Sequence, residues 1–385
     1  MDVTIPTPTF LDEREIAYNC AQAGLGEVAT QTLRDLAQRI DADPQLREVT
    51  SAAHQRVYDT NADFADATRQ ADVALGAEAD LLHALFVLDS IRLVRQRQAA
   101  RGVSPDIAQA VNQRHAVAWL KDAEQRGHIG IADWMPGWSR TVASGHLYRL
   151  GRLEFCPERW EYPARAYTHV RTQELVLLAE SGQRFTDGGY LSGDLTWTSM
   201  LIETDDAIIG TPITPGGVAL PQPVRLQRAE WQLALGPSDW VLDLHIPAEG
   251  ALTLDAIRDA LVQAEPFFDR YYPEHQFAAY VCSSWLFSPQ LETMLAPDSN
   301  ILRWQHEGYL LPSDGSDDDF LTFTFGAKSI DIATAPRNTR LRRAVIAHLE
   351  RGAILRCGAY LLLRRDLGRF GSQPYRHTGS PLTID

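Results

Sequence analysis

Four cysteines are all that the 385 residues carry, and no two of them stand in a C-x-x-C pair. Cys20, Cys156, Cys282 and Cys357 lie far apart, which speaks against a disulfide framework and fits a reducing cytoplasm. Positive charge is also short: 36 Lys and Arg against 50 Asp and Glu leave a net charge of −14. A general nucleic-acid binder needs the opposite sign, so nucleic acid is not an expected partner. A local pocket inside such a field can still hold an anion. No apolar run approaches the roughly 20 residues that cross a bilayer. The longest candidate, LLHALFVLDSIRLV, is broken by His83, Asp89 and Arg92. The opening MDVTIPTPTFLDERE has neither a basic nor an apolar region, so no signal peptide and no membrane attachment are expected. HExxH, HxxxH, GxxxxGK[ST], G-x-S-x-G and a GxGxxG after a strand are all missing. Zinc hydrolases, P-loop enzymes, serine hydrolases of the elbow type and dinucleotide folds drop out with them, and no metal is expected.

What is present is enough apolar material, 45%, for a sizeable core and for two domains. The first third reads as helical. Ala29, Leu33, Leu36, Ala37 and Ile40 fall at helical spacing. Residues Asp80 to Gln98 carry Leu82, Leu85, Phe86, Leu88 and Ile91, too broad an apolar face for a helix packed on one side only. Ser104 and Pro105 then restart a helix that runs to about Lys121. WMPGW marks a break, and a domain boundary follows at about residue 140. That separates a helical domain, 1–140, from a second domain, 141–385. In the second, LYRLGRLEFCP alternates and puts Arg152 and Glu154 on one face. GTPITPGGVALPQPVRL is too rich in Pro and Gly for helix. Asp317 to Asp319 read as a solvated turn, because consecutive aspartates lack the alternation of a calcium loop. Phe320 to Phe325, FLTFTF, reads as a strand. TRLRRAVIAHLERG reads as a helix capped by Gly352. The tail from Leu367 reads as loosely ordered.

The stretch from Val241 to Leu310 is the most informative. VLDLHIP is a strand carrying Asp243 and His245 on one face and Leu242, Leu244 and Ile246 on the other. Thr253 is a natural N-cap, and Leu254, Ile257, Leu261 and Ala264 form the buried face of a helix that Pro266 should kink or end. AAYVCSSW is a second strand carrying Cys282, Ser283 and Ser284. A helical crossover makes two such strands parallel, and ligands bind at their carboxyl ends. His245 there suits a general base. The loop before Thr253 offers free N–H groups at a helix N-terminus, where a pyrophosphate can sit. The residues alone also allow a plain strand-to-helix connection, a structural histidine and a buried cysteine that acts only as a small hydrophobe. Arg152 and Glu154 are read equally well as a surface ion pair. Of six tryptophans in this half, most belong to the core and one or two are left to line an acyl pocket.

Strand 241–246, helix 253–270, strand 277–284, short helix 288–295, strand 301–310 and strand 319–325 resemble the second half of the GNAT acyltransferase fold. LLHALFVLDSIRLVRQRQAARGVS, YRLGRLEF, PITPGG, VLDLHIP, CSSWLFSPQLETML, PDSNILRWQ and TRLRRAVIAHL resemble a bacterial, largely actinobacterial family of acyltransferase-domain proteins. Its members combine a helical N-acyltransferase N-terminal domain with a GNAT-like C-terminal domain. The resemblance implies an α+β chain whose central parallel strands splay apart, and acyl transfer from acyl-CoA or acetyl-CoA to an amine. The acyl-pantetheine arm would lie between the two strands, beside Ile246 and Ser283. The pyrophosphate would rest on Gly250, Ala251, Leu252 and Thr253. His245 or Glu154 would take the proton of the amine, and Cys282 or Ser284 would assist the leaving thiolate or line the cleft. The family fingerprint Q/R-x-x-G-x-G/A is replaced here by PAEGAL, without the leading Gln or Arg and with Leu252 at the second small position. Trp285 follows the second strand where a Tyr is usual. The acceptor would be a small-molecule amine or a peptide. The N-terminal helices would cover the cleft, bind the acceptor or form a homodimer. A GNAT-like binding protein without chemistry is the alternative, and a Cys/His hydrolase a third.

Overall fold

The computed structural model describes residues 8–60, 62–105, 107, 141–191, 196–247, 250–313 and 317–376, with isolated positions between 118 and 130. The helix expected from Ser104 to about Lys121 and the break at WMPGW fall largely outside them. The chain divides into two compact units, Met1–Arg149 and Leu150–Asp385. Helices α1 (Glu13–Ala23), α2 (Glu27–Ala42), α3 (Pro44–Asp59), α4 (Phe64–Leu75) and α5 (Ala79–Ala100) build the first. The buried residues of α2 are Ala29, Leu33, Leu36, Ala37 and Ile40, the helically spaced set. Helix α5 is buried on nearly every side and even encloses Asp89 and Arg92. These two satisfy each other: Arg92 Nε donates to Asp89 Oδ1 at 2.7 Å, and His54 Nε2 stands 2.9 Å from Asp89 Oδ2.

Strand β1 (Tyr148–Leu150) runs across the boundary, and the second unit contains β2 (Leu153–Arg159), β3 (Ala164–His169), β4 (Leu175–Ala179), β5 (Arg184–Phe185), β6 (Trp197–Thr198), β7 (Leu201–Glu203), β8 (Ala207–Gly210), β9 (Pro212–Ile213), β10 (Val224–Gln227), β11 (Trp231–Leu235), β12 (Trp240–His245), β13 (Ala279–Ser284), β14 (Tyr309–Pro312) and β15 (Gly358–Leu363). The main sheet runs β1-β2-β12-β13-β15-β14. Among the described residues of this sheet, β12 and β13 are the parallel pair, joined by helix α6 (Leu254–Tyr271). A crossover of that kind is what parallel neighbours require. The strands β11-β3-β4-β9 and β10-β8-β7 form smaller sheets, whose shared core includes Tyr167, Leu178, Ile208 and Trp231. The fold is therefore α+β, a helical region followed by a mixed sheet.

Several segments differ from their sequence reading, among them Asp317 to Asp319, which open a helix instead of forming a turn. Phe320 to Phe325 is not a strand but belongs to a helix, Asp317–Phe325. Its buried positions, Phe320, Leu321 and Thr324, have helical spacing, and Phe320 packs against Trp285 at 5.1 Å between ring centroids. The expected strand 301–310 splits into a helix, Asn300–His306, capped by the Ser299 hydroxyl, and the strand β14 beyond Gly308. Pro266 does not end α6, which continues to Tyr271. Phe267 and Phe268 are buried beyond it, and that burial outweighs one missing helical hydrogen bond. The tail is firmly placed as far as residue 376, since Leu367, Phe370 and Tyr375 are buried and the Tyr375 hydroxyl donates to Asp366 at 2.9 Å.

β15 closes tightly on the turn after β13. A Cβ at Gly358 would stand 2.1 Å from the carbonyl oxygen of Phe287, a backbone atom that cannot swing aside. Gly358→Ala is expected to cost about 1–3 kcal/mol by overpacking. Calorimetry should show a melting temperature several degrees lower; an unchanged value would mean that this turn yields freely.

Candidate active site

β12 and β13 pair over three positions, Val241 with Ala279, Leu242 with Tyr280 and Asp243 with Val281, and no further. Both strands continue. β12 stays against β2 as far as His245, opposite Glu154. β13 stays against β15 as far as Ser284, opposite Gly358. Each strand is held on its outer side while their inner edges part. The sheet thus opens a slot between residues 244–245 and 282–284.

Alternation decides what faces that opening. Val241, Asp243 and His245 share one face with Val281 and Ser283. All five line a cleft of about 770 Å³, together with Glu158, Glu161, Tyr162, Arg184 and Arg356 among others. Leu242, Tyr280, Cys282 and Ser284 belong to the other face, where the Tyr280 hydroxyl donates to Leu261 of α6 at 3.1 Å, while Leu244, at the point where the strands part, also borders the cleft.

His245 Nε2 lies 3.4 Å from Asp243 Oδ2, and both side chains are about a quarter exposed to the cleft. Protein surrounds Asp243 closely enough that burial, aided by the Glu158 carboxylate, pushes its carboxyl up to about 8. Burial, then the Glu161 charge, also raises Glu158 above the usual carboxylate range. Burial and the neighbouring acids hold the Cys156 thiol and the Tyr162 hydroxyl protonated. Glu154 is 4% exposed and sits beside His245 by register.

The other candidates take up distinct positions. Cys282 is 3% exposed, opposite Tyr360, and burial lifts its thiol well above its ordinary value. The Ser284 hydroxyl accepts the Leu286 N–H at 3.2 Å and so caps the next turn. Ser283 Oγ meets Ser313 Oγ at 3.1 Å. Ile246 and Leu252 are half-buried, and Gly250 and Ala251 are exposed. Thr253 caps α6 by accepting the Ala256 N–H at 3.3 Å. Gly250 has φ +84, a conformation that favours glycine. The loop carries no Lys or Arg, but Arg152 reaches it from outside. Its Nη2 donates to Gly250 O at 3.0 Å and its Nε to Ala251 O at 3.3 Å. Arg152 and Glu154 are buried, so the surface-pair reading of both is corrected: the short β1–β2 turn tucks them under the loop and strand.

Sequence reasoning coupled Asp243 to His245 by alternation but did not single out Asp243. Glu158, Glu161, Tyr162, Arg184 and Arg356 carry no local signal, since only strand order gathers them. Among the described residues no group of three or more His, Cys, Asp or Glu is placed to hold a metal. No helix among them is long and apolar enough to cross a membrane.

A mixed sheet whose two parallel strands part at a polar cleft defines a GNAT-like architecture. The chain belongs to the family of proteins with a GNAT-like C-terminal domain, whose sequence model matches residues 147–360, more than half of it. The chain is similar to three solved acyltransferase structures. One, a mutant in complex with octanoyl-CoA, shares 21% identity over 94% of this chain and 91% of its own, with a TM-score of 0.55. A second, in complex with decanoyl-CoA and teicoplanin, shares 23% over 94% and 90%, with a TM-score of 0.54. A third, in complex with decanoyl-CoA, shares 22% over 90% and 98%, with a TM-score of 0.50. At these identities the likeness is one of fold. The sequence matches no curated protein.

Asp243 makes stability depend on pH. Its folded value lies near 8 against an ordinary 3.8, so between these limits the folded chain keeps a proton that the unfolded chain has lost. Stability therefore falls as pH rises through that window and stays reduced above it. Asp243→Asn removes the penalty, which water in the cleft softens to roughly 1–3 kcal/mol. Its melting temperature should exceed that of the wild type at about pH 9 and match it at about pH 4. Equal melting temperatures at both would show that Asp243 ionises freely.

Proposed function

We propose that this chain is an acyl-CoA-dependent acyltransferase that moves an acyl group to an amine of a small molecule or peptide. The observation that carries the reading is the end of β12–β13 pairing at Asp243 and Val281 while both strands run on. Backbone N–H and C=O groups need partners, and an extended, amide-bearing arm lying in the slot supplies them. The neighbouring residues fit the rest of an acyl-CoA. An 18-residue helix, α6, turns its N-terminus toward the loop that ends at Thr253, and a guanidinium fastens that loop. A helix N-terminus favours a pyrophosphate. Arg152 stands in for the cation that the loop itself lacks.

A bound acyl-CoA supplies a thioester carbonyl already activated for transfer. The chain's part is position and proton handling. Inner-edge N–H groups of the parted strands polarise the carbonyl. His245, paired with Asp243 and flanked by Glu154, takes the proton of the attacking amine, directly or through water; the new C–N bond replaces the C–S bond, and CoA leaves as the thiolate, which is protonated by that imidazolium or by water. Cys282 and Ser284 line the opposite side of the strand, the first as a protonated thiol and the second as a cap. One of the solved neighbours holds teicoplanin together with decanoyl-CoA, which supports a two-substrate cleft here.

Acyl-CoA at about 100 times its dissociation constant should stabilise the chain by about 2.7 kcal/mol and raise the melting temperature accordingly. No shift with any chain length, from acetyl upward, would turn the reading toward a binding protein without chemistry. His245→Ala should keep that shift and lose about 10²–10⁴-fold in transfer rate; full turnover would remove His245 from the mechanism. Arg152→Met should weaken binding of CoA but not of pantetheine, which has no pyrophosphate. Equal weakening of both would make Arg152 a general structural support.

A further inference from the structure

The cleft is polarised across the slot. Strand order puts β2 and β12 on one bank and β13 and β15 on the other. Glu158 and Glu161 at the end of β2 and Asp243 on β12 make the first bank acidic. Its arginine, Arg159, is engaged elsewhere, stacked 3.7 Å over the Trp240 ring and bonded to the Ser238 carbonyl. Across the slot Arg356 stands two residues before β15, whose Gly358 lies opposite Ser284. Its Nη1 donates to the Leu191 carbonyl at 3.1 Å. Leu191 bridges Phe185, the neighbour of Arg184 on β5, so the two arginines converge on the same wall. Both line the cleft, and Arg184 is exposed to it.

We infer that the acceptor is zwitterionic: its amine enters between the acidic bank and His245, and a carboxylate several bonds away is held by Arg184 and Arg356. This rests on the acyltransferase reading and narrows its acceptor. The banks act as a pair. An incoming ammonium favours the charged forms of Asp243 and Glu158, which give up their protons beside it as it also meets Glu161, and guanidinium forks match a carboxylate in geometry as well as charge. An amine without the anion satisfies one bank and leaves the other facing water. A mutual neutralisation of the banks is opposed by the slot that separates them.

The test uses 6-aminohexanoate and hexylamine, which differ in the carboxylate, titrated calorimetrically into the full chain. 6-Aminohexanoate is expected to bind at least roughly tenfold more tightly. Arg184→Glu should abolish the difference, and Arg356→Gln should reduce it. Arg184 is exposed, so its variant keeps the test open even if the Arg356 variant is unstable. Equal affinities, no binding of either amine, or a preference that survives both substitutions would overturn the inference. If acyl-CoA shifts the melting temperature but the two amines bind alike, the acceptor assignment falls and the acyltransferase reading stands. If 6-aminohexanoate binds and acyl-CoA does nothing, the acyltransferase reading falls, the acceptor assignment falls with it, and the cleft is a binding site for a zwitterion without acyl transfer.

Discussion

Two parallel strands that are hydrogen-bonded for three residues and then separate govern everything else in the second unit. A strand edge without a partner is unstable unless something else holds the strand. Here β2 and β15 do so, following β12 and β13 to their last residues. Both outer partners are antiparallel, and both registers are regular. At the start of β15, Gly358 packs closely against the Phe287 carbonyl just beyond β13. The slot is thus a property of the whole sheet rather than of any loop.

The separation also determines the electrostatics. Paired strands would leave Asp243 and His245 on an ordinary sheet face. With the edges apart, that face becomes the floor of a concave cleft, where water reaches the carboxyl and yet does not solvate it fully. A carboxyl with a value near 8 beside an imidazole is a proton-handling pair close to neutrality. Glu158, next to it on β2, raises its value further. The opposite face is filled by α6 and by rings such as Tyr280 and Tyr360, which is why Cys282 stays a buried thiol.

Amphipathic helices were legible because their signal is local and long. The five positions of α2 and the broad face of α5 needed no knowledge of neighbours. Short apolar runs were not legible in the same way. FLTFTF alternates as a strand does, yet its burial at Phe320, Leu321 and Thr324 follows a helix, because Trp285 rather than a neighbouring strand receives it. The segment from Ile301 failed for a similar reason: a Ser299 cap and the Gly308 crossing divide what reads as one run. Pro266 was overruled by two buried phenylalanines beyond it.

By itself the sequence determined the α+β class, the helix that starts at Thr253, and the alternation that couples Asp243 to His245. These depend on periods of two and 3.6 residues, which the backbone imposes wherever it runs. Tertiary structure alone decided that Arg152 fastens a loop about a hundred residues away. It alone decided that Glu158, Glu161, Arg184 and Arg356 line one opening. Such meetings depend on which strand lies beside which, a choice made by packing and hydrogen bonding between distant segments, and no spacing along the chain records it.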